Sequence, residues 1–92
     1  MGRIADRLRA KLQDAFSPER LEIVDDSSRH AGHHSAPEGG ESHFNVVIVS
    51  PAFAGVGRVE RQRRVYAALA EELAGPVHAL SLRALAPGEQ PG

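Results

Sequence analysis

Cysteine is absent from the 92-residue chain. That excludes disulfides, a thiolate nucleophile, and any zinc or iron–sulfur site built on the chain's own sulfur. A metal bound here must use imidazole or carboxylate. Tryptophan is missing and aromatics amount to 4%. No apolar run approaches the roughly 20 residues that cross a bilayer, so no transmembrane segment and no membrane partner are expected. Neither sign of charge dominates: 11 basic against 12 acidic residues give a formal charge of -1. Such a chain has no bulk positive field to attract nucleic acid or an anionic membrane. Between Met1 and Leu12 charges recur every two or three residues. That spacing leaves no apolar h-region, so the N-terminus does not read as a secretory signal and a cytoplasmic protein is expected.

Hydrophobic residues make up 41% of the chain, but 14 of the 38 are Ala, leaving 24 larger ones for a thin core. A second core would need roughly 50 more residues, so residues 1–86 form a single domain and residues 87–92 a frayed polar tail. Ten of the eleven basic residues are Arg, and Arg58, Arg61, Arg63 and Arg64 crowd around a single Glu60. Local charge can therefore differ from the balanced total, and one face is expected to be basic.

The four-residue spacing of Ile4, Leu8, Leu12 and Phe16 predicts an amphipathic helix over 3–16, ended by Ser17-Pro18. Leu21 to Asp25 is short, β-branched and alternating, a first strand buried on the Leu21 and Ile23 side. Residues 29–41 hold three His, three Gly and one Pro without periodicity. This is an irregular loop of the long kind that often carries function. His43 to Ser50 is the clearest strand, with Phe44, Val46 and Ile48 on one face and Val47 and Val49 partly covering the other. Pro51 to Gly57 is turn-like. Val65, Leu69 and Leu73 then define a helical region from Arg58 that Gly75-Pro76 stops, Val59 fitting a preceding helical turn. Val77 to Leu85 is a third strand with Leu80 and Leu82 facing inward.

Strands one and two have no helix between them and should pair antiparallel. Strands two and three are joined by a helical region, the signature of a right-handed parallel crossover. The expected architecture is a two-layer α+β sandwich with a three-stranded mixed sheet, its helices on one face and its other face comparatively open.

Several stretches resemble the small BolA-like proteins. They are Asp25-Asp26-Ser27, Gly40-Glu41-Ser42-His43-Phe44, Ile48-Val49-Ser50, Phe53 with Gly55, Arg61-Gln62-Arg63, Val65-Tyr66, Glu71-Glu72-Leu73 and Val77-His78-Ala79-Leu80. Their order and spacing cover nearly the whole chain. The resemblance implies an αββααβ fold similar to class II KH domains. It also implies an adaptor that pairs with a monothiol glutaredoxin, directly or around a shared 2Fe-2S cluster, in iron–sulfur delivery and iron homeostasis. Some bacterial members are described as DNA-binding transcriptional regulators. Two departures stand out: the family usually has His where this chain has Gln62, and its loop between strands one and two is usually shorter and poorer in His.

Alternation alone places His78 on the face of Leu80 and Leu82, which favours a half-buried imidazole satisfied by a backbone carbonyl. The resemblance implies instead that His78 is the fixed cluster ligand. A second ligand is then expected a few residues after the Asp-x-Ser motif, where His30 stands, with His33 and His34 as rivals in the same loop. A solvated, His-rich loop that picks up metal adventitiously is the competing account. His43 reads as structural, because it begins a strand whose next residue is core.

Two imidazoles can fill only one iron of a 2Fe-2S cluster, as in Rieske centres, so the remaining thiolates must be borrowed. The resemblance implies that glutaredoxin Cys and glutathione supply them in a heterodimer, the isolated chain being a monomer or a weak homodimer. Arg61 and Arg63, with Arg58 and Arg64, are candidates for binding a partner or nucleic acid, against the plain alternative of a solvated charged face. Asp25, Ser27, Ser28 and His30 contain triad residue types, but neighbours on one strand end rarely converge in nucleophile geometry, so no enzyme is expected. The Gly-x-x-Gly phosphate clamp of KH domains is missing, since Gly55 and Gly57 are one residue too close.

Overall fold

A computed structural model describes residues 3–25 and 43–89. The apolar stripe of the first helix, α1 (Arg3–Phe16), buries Leu8 and Leu12 completely. It ends at Ser17, whose φ of 45° is left-handed and whose N–H still donates to the Gln13 carbonyl at 3.0 Å. Pro18 comes next and bars a further helical turn. Strand β1 (Arg20–Asp25) pairs antiparallel with β2 (His43–Val49), and β2 pairs parallel with β3 (Ala79–Leu85). The sheet order is β1-β2-β3.

The three helices and the mixed sheet confirm the expected α+β architecture. Register sorts the strand residues onto two faces. Leu21, Ile23, Phe44, Val46, Ile48, Leu80, Leu82 and Ala84 face the helices, and Phe44, Val46 and Ile48 are buried there with Val65, Leu69 and Phe53. His43, Asn45 and Val47 share the opposite, open face with Ala79, Ser81 and Arg83, and β1 adds Glu22 and Val24. Val24 is 53% exposed there.

After β2 the chain makes a 3₁₀ turn over Pro51–Phe53, capped by the Ser50 hydroxyl, which accepts from the Ala52 N–H. The same buried hydroxyl donates to the Phe16 carbonyl at 2.6 Å, so it joins the end of α1 to the end of β2. Phe53 packs against Phe16 with ring centres 5.0 Å apart. Gly55, at φ +75°, supplies the left-handed residue of the reversal into α2 (Arg58–Ala68).

Three details depart from the sequence expectation. The helical region from Arg58 divides at Leu69 (φ −106°, ψ 19°) into α2 and a short α3 (Ala70–Ala74). The third strand starts at Ala79, not Val77, so His78 lies before the ladder and strand alternation does not apply to it. The segment after β3 is not frayed at its start: Glu89 is tied back by Arg61 and by the Ala86 N–H. Residues 90–92 lie outside the described residues, as do His30, His33 and His34. No described helix is long and apolar enough to cross a membrane.

Candidate functional site

The corner between α3 and β3 sets the position of His78. Glu72 occupies the inward side of α3, three residues after Leu69 and with no exposed surface. An ionised carboxylate there requires cations, and α1 supplies them from Arg7 and Lys11, spaced four apart on one helical face. The Arg7 guanidinium donates to Glu72 Oε2 through Nε at 3.1 Å and Nη2 at 2.7 Å. Lys11 Nζ lies 3.0 Å from one carboxylate oxygen and 2.9 Å from the other. Burial pushes the Glu72 carboxyl up. Hydrogen bonds from Lys11, the backbone and Arg7 outweigh it and hold the group below its ordinary value.

The backbone of Glu72 also directs the chain into β3. Its carbonyl accepts from the N–H of Gly75 at 3.2 Å and of Val77 at 2.9 Å. Val77 is buried, the next residue turns outward, and His78 is exposed rather than half-buried under Leu80 and Leu82. Ala79 then pairs with His43. The rings of His43 and His78 face each other with centres 6.5 Å apart and planes tilted by 36°. His43 thus stands beside the imidazole that the family resemblance singles out. Nothing in the sequence reports this proximity, because 35 residues separate the two. Asp25 and His43, the described residues that flank positions 26–42, both stand at the end of the sheet where β3 begins. Among the described residues no three His, Asp or Glu side chains converge on a metal position.

The arginine cluster divides. Arg61 is largely covered and turned inward: Nε donates to the Val56 carbonyl at 2.7 Å, and Nη1 to the Ala84 carbonyl at 3.0 Å. Its Nη1 and Nη2 also hold both oxygens of Glu89, at 2.5 and 2.9 Å. The Glu89 carboxyl is lowered to about 2 by the Arg61 hydrogen bonds, with help from the Ala86 N–H. Arg64 pairs with Glu60 one helical turn back. Arg58 and Arg63 are exposed, with no carboxylate partner among the described residues. Arg58 lines a cleft with Arg61, Gln62, Asn45, Ser81 and Arg83, along β3 and the first turns of α2.

Residues 12–89 match the family model for BolA-like proteins. The chain belongs to the BolA-like family. It is 46% identical over 89 residues to human BolA-like protein 1, covering 97% of this chain and 62% of the human protein. It is 49% identical over 79 residues to the DNA-binding transcriptional regulator BolA of Escherichia coli, covering 86% of this chain and 71% of that one. Its fold superposes on the solved BolA domain of SufE1 from Arabidopsis thaliana with a TM-score of 0.83 at 43% identity, covering 98% and 99% of the two chains. The BolA-like chain thus spans about three fifths of the length of the human relative, and its fold is that of a BolA domain.

Proposed function

We propose that this BolA-like chain is a non-enzymatic adaptor that presents His78 and a loop histidine, His30 before His33 or His34, to a 2Fe-2S cluster shared with a monothiol glutaredoxin. The observation that carries the reading is an exposed imidazole on a fixed backbone in a chain with no sulfur ligand. The donor chemistry fits: imidazole can complete one iron of such a cluster, and thiolates for the other must come from a partner and its glutathione. Val77, held by the Glu72 carbonyl, and Ala79, held in the ladder, leave His78 little backbone freedom. The backbone under the imidazole is therefore ordered before a partner docks, and only the side chain has to be fixed on binding. Imidazole in place of thiolate makes the ligand set less anionic, which suits transfer of a cluster more than its storage.

The test mixes the chain with cluster-loaded monothiol glutaredoxin and records visible circular dichroism. The expected result is a new spectrum with the wild-type chain and the unmodified glutaredoxin spectrum with His78→Ala. The same new spectrum from both chains would remove His78 from the ligand set and overturn the reading.

A second reading, a DNA-binding regulator, draws on the name of the Escherichia coli relative, on Arg58 and Arg83, which line the cleft, and on the exposed Arg63. Two of the four clustered arginines are neutralised within the molecule, by Glu89 and Glu60, which weakens it. If DNA is a ligand, its affinity falls steeply with salt, and Arg58→Ala with Arg63→Ala reduces the slope by about one for each phosphate no longer neutralised. A salt-independent or undetectable interaction would dismiss it.

A further inference from the structure

We infer that His43 and His78 together form a two-imidazole chelate for a divalent first-row transition cation such as Zn²⁺. Register carries the inference. His43 opens β2, its cross-strand partner Ala79 opens β3, and His78 directly precedes Ala79. Both imidazoles therefore leave the sheet at one end, with ring centres 6.5 Å apart.

A ligating nitrogen about 2 Å from the ion places each ring centre about 3 Å from it, so two rings sharing an ion have centres about 5 to 6 Å apart. The observed spacing lies just outside that range. Binding therefore requires the exposed His78 ring to turn toward His43. Neutral imidazole nitrogen favours zinc, copper or nickel over magnesium and calcium, which prefer oxygen. The described residues offer no third donor, so the chelate keeps open positions for water or an incoming ligand, as a transfer site requires.

The inference goes beyond the adaptor reading: it gives His78 a second role, with His43, toward a divalent cation, and leaves the loop histidine as the partner of His78 on the cluster. The chelate, however, requires neither the loop histidines nor glutaredoxin. The experiment titrates Zn²⁺ alone into the whole chain with His30, His33 and His34 all replaced by Gln, and follows the imidazole Hε1 resonances of the two remaining histidines. Both resonances are expected to move together and saturate at one equivalent. His43→Gln or His78→Gln on that background should weaken Zn²⁺ binding by at least about tenfold. Movement of the His78 resonance alone, or unchanged affinity in the His43→Gln chain, overturns the inference. The resonance test needs neither further substitution, so it decides the matter even if His43→Gln does not fold.

The glutaredoxin spectrum separates the two readings. If His78→Ala abolishes the new spectrum while Zn²⁺ leaves His43 unmoved, the chelate fails and the adaptor stands. If Zn²⁺ shifts both rings while the spectrum ignores His78→Ala, the adaptor fails and the chelate stands.

Discussion

The two ends of β3 treat their conspicuous residues in opposite ways. At the N-terminal end the backbone is anchored, through the Glu72 carbonyl and the pairing of Ala79 with His43, and the His78 side chain is left exposed. At the C-terminal end the side chain is itself the anchor: Arg61 gives its donors to Val56, Ala84 and Glu89. Both residues belong to motifs that resemble the family, yet one is presented and the other consumed. A motif match therefore marks where a family invests a residue type. Only the geometry separates a residue that meets a partner from one that holds the surface in shape.

The contrast is tested most strongly at the residue whose backbone carbonyl holds Val77. Glu72→Ala keeps that carbonyl but leaves Arg7 and Lys11 without the buried carboxylate that ties α3 to α1, so unfolding free energy should fall by about 3 kcal/mol. Urea denaturation measures it, and a loss below about 1 kcal/mol would mean that Arg7 and Lys11 reach water without cost.

Acid should weaken both ends together. Folding depresses the pKa of Glu72 and of Glu89, the latter to about 2 from 4.5. A depressed folded value contributes stability that is complete above the unfolded pKa and is lost as pH falls through the folded one. The urea midpoint should therefore hold above about pH 5 and decline toward about pH 2, and Glu89→Gln should flatten part of that decline.

Arg61→Ala sharpens the contrast at the other end. It leaves the Val56 and Ala84 carbonyls without the guanidinium and Glu89 with only the Ala86 N–H, and the melting temperature should drop by about 4 °C. On the proposed adaptor reading, the spectrum formed with cluster-loaded glutaredoxin should survive the change, because the His78 end is untouched. The smallest effect belongs to His78→Gln, whose folding stability should stay within about 0.5 kcal/mol of wild type. A larger loss in chemical denaturation would place the imidazole in the fold rather than at a docking surface.

Much of the fold was legible because its signals are local. Leu8 and Leu12 share a helical face, Phe44, Val46 and Ile48 alternate on β2, and a helical region between two strands implies the parallel pairing that is observed. The exposure of His78 was not legible from alternation, because the periodicity of a strand says nothing until its first paired residue is known, and that residue is Ala79. Glu72 did carry a usable signal. It lies on the Val65 and Leu69 face of its helix, and the cations at Arg7 and Lys11 fall on one face of another. Glu89 gave no such signal, since its partner lies 28 residues upstream in an unrelated element. Residues meeting across a parallel crossover, such as His43 and His78, leave no local trace, and a split arginine cluster is equally silent about which members find carboxylates.

The clamp at the end of β3 has one more consequence. Leu85 turns its carbonyl toward Ser50, so the Ala84 carbonyl and the Ala86 N–H point away from the sheet, and Arg61 and Glu89 occupy both. A stray strand would have to evict a charged pair before it could bond to Ala84 or Ala86. The arrangement thus blocks strand addition at the C-terminal end of β3.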